Sequence, residues 1–335
     1  MHDAGEHLGT TRPAPQRRAP PDAVTESSIH LLGFGVAAVD EMIVIPGPVV
    51  ADAKIDLVSH ETVCGGICVN ALAAASRQGL TCHFAGPLGT DDLSQIIRAG
   101  LRREGIGSSH AAEVGGIGGP SHAFILVDRK NGARTIYMDK SRVRPLRAEE
   151  IPDDLLRRCR AVYLDSWHLD AGLDVARRAR SMNIAIIADF EEYAVERVRP
   201  LLPLVDHLIL PLDYACRLAG TDDTRLALRT LAGRDARTCT AITMGREGAI
   251  FVDGADHDRR VQHQRAFVVD TVDTTGCGDA FHGGYIAAFQ REPKVAPAIR
   301  AAAATAAIKA QGVGAIAPLP SAEQVQVMLR RGELR

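Results

Sequence analysis

Ala161-Val162-Tyr163-Leu164, Ile184-Ala185-Ile186-Ile187-Ala188, His207-Leu208-Ile209-Leu210 and Thr240-Ala241-Ile242-Thr243 are short apolar runs in the second half of the chain. Segments of helical character lie between them, for example 170–182 and 223–232. Short apolar runs with helices between them read as strands of βαβ units. Their crossovers make neighbouring strands parallel and place helices over both faces. The expected fold is therefore α/β, a doubly wound and mostly parallel sheet flanked by helices.

Toward the N-terminus, Ile29 to Val36 reads as a buried strand that ends near Asp40. Helices are expected at 68–79, with Val69, Leu72 and Ala73 on one face, and at 92–104, with Leu93, Ile96, Ile97 and Leu101. Gly79 and Gly105 close them. Ser121–Asp128 and Ala133–Asp139 flank Arg129-Lys130-Asn131-Gly132, whose Asn-Gly signals a hairpin turn. Three helices near 279–290, 295–310 and 321–330 complete the chain. Two β-rich inserts, at about 41–64 and 117–139, are too short to be domains. Paired, they would form a small β-sheet lid that excludes water from a site. Residues 28–335 thus form one domain. Residues 1–27 lack apolar periodicity and a signal peptide's apolar core, and read as a disordered tail.

The 335 residues carry a net charge of −2, which gives no basic excess for nucleic-acid binding. Hydrophobic residues make up 46 % and aromatics 4 %, a composition suited to small-residue helix-on-sheet packing. No apolar stretch approaches the roughly 18–20 residues of a membrane span, so a soluble chain is expected. Seven scattered cysteines make a poor disulfide framework and point to a reducing, cytoplasmic setting. Cys64 and Cys68 have no second Cys/His pair at a zinc-binding distance.

Three segments carry chemistry. In Asp273-Thr274-Thr275-Gly276-Cys277-Gly278-Asp279 a helix is expected to start within Gly278–Asp279. Free N–H groups at a helix start attract anions, and a carboxylate there could take a hydroxyl proton. The same pattern also fits a Gly-rich turn with Asp279 as a cap. In Cys64-Gly65-Gly66-Ile67-Cys68-Val69-Asn70 the amide of Asn70 offers both donors and an acceptor, as sugar hydroxyls require; a turn and a helix-start Asn is the other reading. Thr243-Met244-Gly245-Arg246-Glu247-Gly248 follows a strand, at the edge where open α/β sheets bind ligands, yet a hairpin looks the same.

These three segments, in this order, resemble the PfkB/ribokinase family of carbohydrate kinases over roughly residues 29–330. The resemblance implies a ribokinase-like fold and transfer of the ATP γ-phosphoryl group to a hydroxyl of a monosaccharide or small polyol. It implies Asp279 as base and the N–H groups of Gly276, Cys277 and Gly278 as anion hole. Asp40, Gly65, Gly66 and Asn70 would bind the sugar. Thr243, Gly245, Gly248 and Gly312 would line the nucleotide, with Ala306 to Gly312 beside the adenine. Family members use MgATP, and many are activated by a monovalent cation such as K+ near the region matching Asp273 and Thr275. The lid often contributes to homodimers. A nucleoside kinase of the same family, or a catalytically silent ligand sensor, is the alternative.

Two departures stand out. Pro211 and Tyr214 stand where the family commonly has the Asn and Glu of Asn-x-x-Glu, so no metal ligand is assigned. Cys277 stands where Ala is usual; the thiol is either a plain small filler or, since a helix N-terminus lowers a thiol's pKa, a group that makes the enzyme oxidation-sensitive. Trp167-His168 and Phe281-His282-Gly283 resemble a bacterial branch that includes sulfofructose kinases, but Ser166 replaces that branch's Arg. Lys54, Arg134, Lys140, Arg142 and Arg144 either reach a substrate anion or are solvated surface charges. Asp189 either touches the Mg2+ water shell or caps a helix.

Overall fold

The structure, a computed structural model, describes residues 28–109, 111–113, 118–130, 133–191, 194–234 and 237–334. The expected tail at 1–27 and the turn residues Asn131-Gly132 lie outside the described residues. The first half runs β1 (Ile29–Gly33), β2 (Ala38–Ile45), β3 (Ser59–Gly65), α1 (Ile67–Arg77), β4 (Cys82–Phe84), β5 (Pro87–Leu88), α2 (Asp92–Arg103), β6 (Ala112–Glu113), β7 (Ser121–Asp128) and β8 (Arg134–Asp139). Then follow α3 (Asp153–Arg157), β9 (Cys159–Asp165), α4 (Leu169–Ser181), β10 (Ala185–Asp189), α5 (Val195–Val198), β11 (His207–Pro211), α6 (Leu212–Ala219), α7 (Thr224–Arg234) and β12 (Cys239–Thr243). The chain closes with β13 (Ala249–Asp253), β14 (Gln262–Gln264), α8 (Cys277–Arg291), α9 (Val295–Lys309) and α10 (Ala322–Arg331).

Eight strands form the central sheet in the order β14-β13-β12-β11-β10-β9-β1-β4. Every neighbouring pair from β4 to β12 is parallel. The four apolar runs are β9 to β12, and their unbroken hydrophobicity follows from burial on both faces. Leu31, Tyr163, Ile187 and Ile209 pack on one side with Leu72, Tyr285 and Ala302 of α1, α8 and α9. Leu32, Val162, Ile186 and Leu208 pack on the other with Leu155, Val175, Leu218 and Leu228 of α3, α4, α6 and α7. The sheet is thus doubly wound. The antiparallel edge made by β13 and β14 was not legible beforehand. Its strands are short, and the intervening 254–261 are strongly polar.

The two inserts pair with each other. A second sheet has the order β3-β2-β7-β8, with β2 parallel to β7 and the other pairs antiparallel. Its small core is Met42, Ala123 and Ile125. Asp40 lies inside β2 and is therefore a lid residue rather than the end of the first strand.

Helix α8 is wedged between α1 and α9 by two adjacent glycines. A Cβ on Gly283 would sit 2.4 Å from the Ala71 carbonyl oxygen, and one on Gly284 would sit 2.4 Å from Thr305 Oγ1. Close approach of this kind sets the α8 start directly against α1.

Candidate active site

Helix α8 begins at Cys277, one residue before the expected start, and Gly276 precedes it in the left-handed conformation with φ 74°. Any residue with a Cβ would be strained there. No side chain caps this helix. The Cys277 N–H closes a turn on the Thr274 carbonyl at 3.2 Å. The N–H groups of Gly276 and Gly278 have no acceptor among the described residues. A Cβ on Gly278 would meet nothing within 4 Å, so open space faces this turn.

Asp279 does not act as a cap. Its Oδ2 accepts a hydrogen bond from Asn70 Nδ2 at 2.7 Å, across 209 positions of sequence. The α1–α8 packing therefore joins the Gly-Gly segment to the Asp-Thr-Thr-Gly segment. Asp279 is half-buried. Burial and then the nearby Asp189 carboxylate push it up, against the Asn70 bond and His282, to about 7. A carboxylate near neutrality suits a general base. Asn70 is buried, and its Oδ1 has no hydrogen-bond partner among the described residues. Buried polar atoms are normally satisfied, so an open acceptor here fits a ligand hydroxyl.

Asp40 supplies a second such group. It is 8 % exposed, and its Oδ2 would lie 2.3 Å from a Cβ on Gly65. Gly65 therefore makes room for this carboxylate. Gly66, with φ 99°, instead lets the chain lie on the Val36–Ala38 backbone. Burial raises Asp40 to about 6, with His122 opposing. Asp165 is different, since its oxygens accept from the N–H of Val36 at 2.7 Å and of Trp167 at 2.9 Å, fixing the loop after β1 to the end of β9.

The expected nucleotide residues lie at the same carboxyl edge of the sheet. Thr243 ends β12, and its hydroxyl reaches the Leu210 carbonyl at 3.5 Å. Gly245 faces open space, whereas Gly248 lets β14 approach, since a Cβ there would meet the Gln264 carbonyl oxygen. Gly312 sits in the loop after α9, packed on Pro318. That loop is stitched to the turn that precedes α8: Gly314 N–H donates to Asp273 Oδ2 at 2.9 Å, and Val272 N–H to the Ala310 carbonyl at 2.8 Å.

Asp273 is surrounded by donors. Its Oδ1 accepts from the N–H and hydroxyl of Thr275 at 2.8 and 2.7 Å. Fully buried Lys309 donates to the Asp273 carbonyl at 2.7 Å and lies 3.8 Å from its carboxylate. Arg134, from lid strand β8, reaches Thr274 and Thr275 hydroxyls at 3.2 and 3.0 Å and Asp273 at 3.5 Å. Arg134 was one of the flagged cations; Lys309 was missed, because a lone Lys in an Ala-rich helix carries no signal. Lys140 lies 4.5 Å over the Trp167 ring, and Arg144 forms a two-armed pair with Glu150 at 2.9 Å.

Two open alternatives narrow. The Cys277 thiol turns to the Ala306 carbonyl at 3.7 Å, and burial pushes it up rather than the helix start lowering it. Asp189 accepts from Tyr163 at 3.2 Å and pairs with His282 at 3.2 Å, so it is not a helix cap. Tyr214 is buried in the core, and its hydroxyl has no partner among the described residues, so it does not replace the family's Glu at the site.

A half-buried carboxylate beside N–H groups that have no acceptor among the described residues, at a helix start on a doubly wound sheet, is an arrangement that phosphoryl transfer can use. Residues 35–322 match the family model described as pfkB family carbohydrate kinase. The chain belongs to this family, whose members are phosphotransferases. It is 28 % identical over 314 residues to an aminoimidazole riboside kinase of Salmonella typhimurium, covering 84 % of this chain and 94 % of that one. It is 25 % identical to fructokinase-1 of Zea mays, covering 90 % and 98 %. In fold it is similar to Arabidopsis thaliana ribokinase complexed with ribose and ATP, with a TM-score of 0.77, 20 % identity and 91 % and 99 % of the two chains covered. It is also similar to a candidate ribokinase II from E. coli in complex with ATP and Mg2+, with a TM-score of 0.77, 18 % identity and 90 % and 99 % covered. No helix among the described residues is long and apolar enough to cross a membrane.

Proposed function

We propose that the chain is an ATP-dependent sugar kinase that transfers the γ-phosphoryl group to a hydroxyl of a monosaccharide or related polyol. The observation that carries this reading is the 2.7 Å bond joining Asn70 to Asp279 beside unengaged backbone N–H groups. In this reading Asp279 takes the proton from the acceptor hydroxyl as that hydroxyl's oxygen attacks the γ-phosphorus, and ADP leaves as the bond from the γ-phosphorus to the β,γ-bridging oxygen breaks. The N–H groups of Gly276 and Gly278 form the anion hole that holds the transferred group, with Arg134 adding positive charge from the lid; the Cys277 N–H, also expected there, is engaged by the Thr274 carbonyl. Asn70 Oδ1 and Asp40 accept sugar hydroxyls, with Gly65 and Gly66 shaping the wall. Thr243, Gly245, Gly248 and Gly312 line the nucleotide.

Mg2+ would screen the phosphate charge. The described residues contain no cluster of three His, Cys, Asp or Glu side chains that could hold a metal. The ion is then held through the phosphates and water, as Mg2+ commonly is. At Asp273 the residues do not suit a monovalent cation, because Lys309 and Arg134 already bring positive charge there and Thr275 and Gly314 engage the carboxylate. The exposed lid residues Phe124, Ile136, Tyr137 and Met138 support a homodimer formed through the lid.

A coupled ADP-release screen over ketoses, aldoses, phosphosugars and nucleosides tests the proposal. Turnover with a sugar, lost in Asp279→Asn, is the expected result. Phosphorylation of nucleosides alone would favour the nucleoside kinase, and sugar binding with no turnover would leave a sensor.

A further inference from the structure

His282 follows Asp279 by three residues and is 2 % exposed. Its Nδ1 lies 2.9 Å from the Gly278 carbonyl oxygen and 3.2 Å from Asp189 Oδ2. Its Nε2 lies 3.2 Å from the Ile209 carbonyl oxygen. Both ring nitrogens thus face oxygens that can only accept; a neutral ring can satisfy one of them, and an imidazolium satisfies both. Asp189, at the end of β10, is the matching anion. It is 3 % exposed and also accepts from the Tyr163 hydroxyl at 3.2 Å. The Tyr163 ring meets the imidazole edge-on, with centroids 5.8 Å apart.

These contacts span the elements that must hold still during transfer. One His282 nitrogen grips Gly278 in the anion-hole turn, and the other grips β11. Through Asp189 the ring is tied to β10 as well. We infer that His282, held as an imidazolium between Asp189, Gly278 and Ile209, is a positioning residue that fixes the anion-hole turn to the sheet. This rests on Asp279 being the base.

The charges around Asp279 decide the sign. His282 and Cys277 face it from its own helix, Asp189 from β10, and Asp165 and Tyr163 from β9. Asn70 and Cys68 face it from α1, and Lys309 from α9. Burial, Asp189 and Asp165 raise Asp279, and His282 opposes them. Lys309 is committed to Asp273. Removing the imidazolium therefore leaves Asp279 facing two carboxylates with its main opposing cation gone, and its proton is held more tightly. Replacing Asp189 and His282 together removes an anion and a cation at once.

The test is the pH profile of kcat/KM with any sugar found to be phosphorylated. His282→Gln should move the acid limb upward by roughly one pH unit, and the double variant Asp189→Asn/His282→Gln should bring it back toward the wild-type position. An unmoved limb in soluble, folded His282→Gln would overturn the inference and leave His282 a packing residue. Asp279→Asn separates the two readings. If that variant is inactive while the His282→Gln limb stays put, only this inference fails; if it turns over normally, the base assignment fails and takes this inference with it. Should His282→Gln not fold, nitrogen-15 histidine spectra of the wild-type enzyme decide. One ring with both nitrogens protonated at neutral pH and slow to exchange with water supports the inference; no such ring refutes it.

Discussion

Replacing Asp279 by Asn should abolish activity and at the same time stabilise the protein, in a way that depends on pH. Asp279 is held at about 7, against 3.8 for a free side chain. The folded state therefore binds this proton more tightly than the unfolded chain. The resulting stabilisation is full below about pH 3.8 and is lost as pH rises through about 7. A shift of roughly three units corresponds to about 4 kcal/mol at most. Water in the open cleft reduces this to about 2–4 kcal/mol. Unfolding entropy of about 2.1 cal/mol/K per residue over roughly 300 ordered residues converts that to a Tm change of about 3–6 °C. Asn has nearly the same shape, carries no charge and keeps an oxygen for Asn70. The mutant should therefore melt about 3–6 °C higher than wild type at pH 8 and at nearly the same temperature at pH 4.5. Turnover should fall by about 10²–10⁴-fold. Differential scanning calorimetry at the two pH values and a coupled ADP assay read both effects. A mutant that melts lower at pH 8, or with the same difference at both pH values, would refute the reasoning, since a buried destabilising charge predicts neither.

Other perturbations address the remaining parts of the site. Wild-type kcat/KM should fall about tenfold per pH unit on the acid side of 7, because only the carboxylate form of Asp279 can take a proton; a flat profile down to pH 5 would contradict this. Asp40→Asn should raise the acceptor KM by roughly 10–100-fold with little change in the ATP KM, as expected for loss of a charged hydrogen bond; initial-rate kinetics with each substrate varied shows it. Gly283→Ala forces a methyl group to within 2.4 Å of the Ala71 carbonyl oxygen and 2.5 Å of Ala74 Cβ. It should cost about 1–3 kcal/mol in urea unfolding and lower kcat, by levering Asp279 away from Asn70. Exchange of K+ for tetramethylammonium should leave the rate unchanged, since Lys309 and Arg134 already supply the charge at Asp273; a large drop would show that an ion joins the turn.

Much of the body could be read locally. Burial on both faces gives a parallel strand an unbroken apolar run, so β9 to β12 announced themselves. Glycines at 79 and 105 take positive φ just after α1 and α2, as their positions in the sequence suggested. The β-rich composition of the inserts marked the lid. The edge strands β13 and β14 were lost because short strands leave little pattern, and Lys309 was lost because its meaning lies wholly in what surrounds it.

The sequence by itself determined the class of fold and pointed to the short segments proposed to hold a phosphate and a sugar, because backbone conformation and hydrophobic periodicity act over neighbouring residues. It left Asp279 open between a helix cap and a base. Only the tertiary structure decided that its carboxylate meets Asn70 across 209 positions, that Arg134 reaches the same turn from the lid, and that His282 and Asp189 close beneath it. Those contacts follow from strand order and from glycines that let α8 press between α1 and α9. Their effect is electrostatic: whether a carboxylate is solvated or buried among other charges depends on everything folded around it, and no local pattern records that.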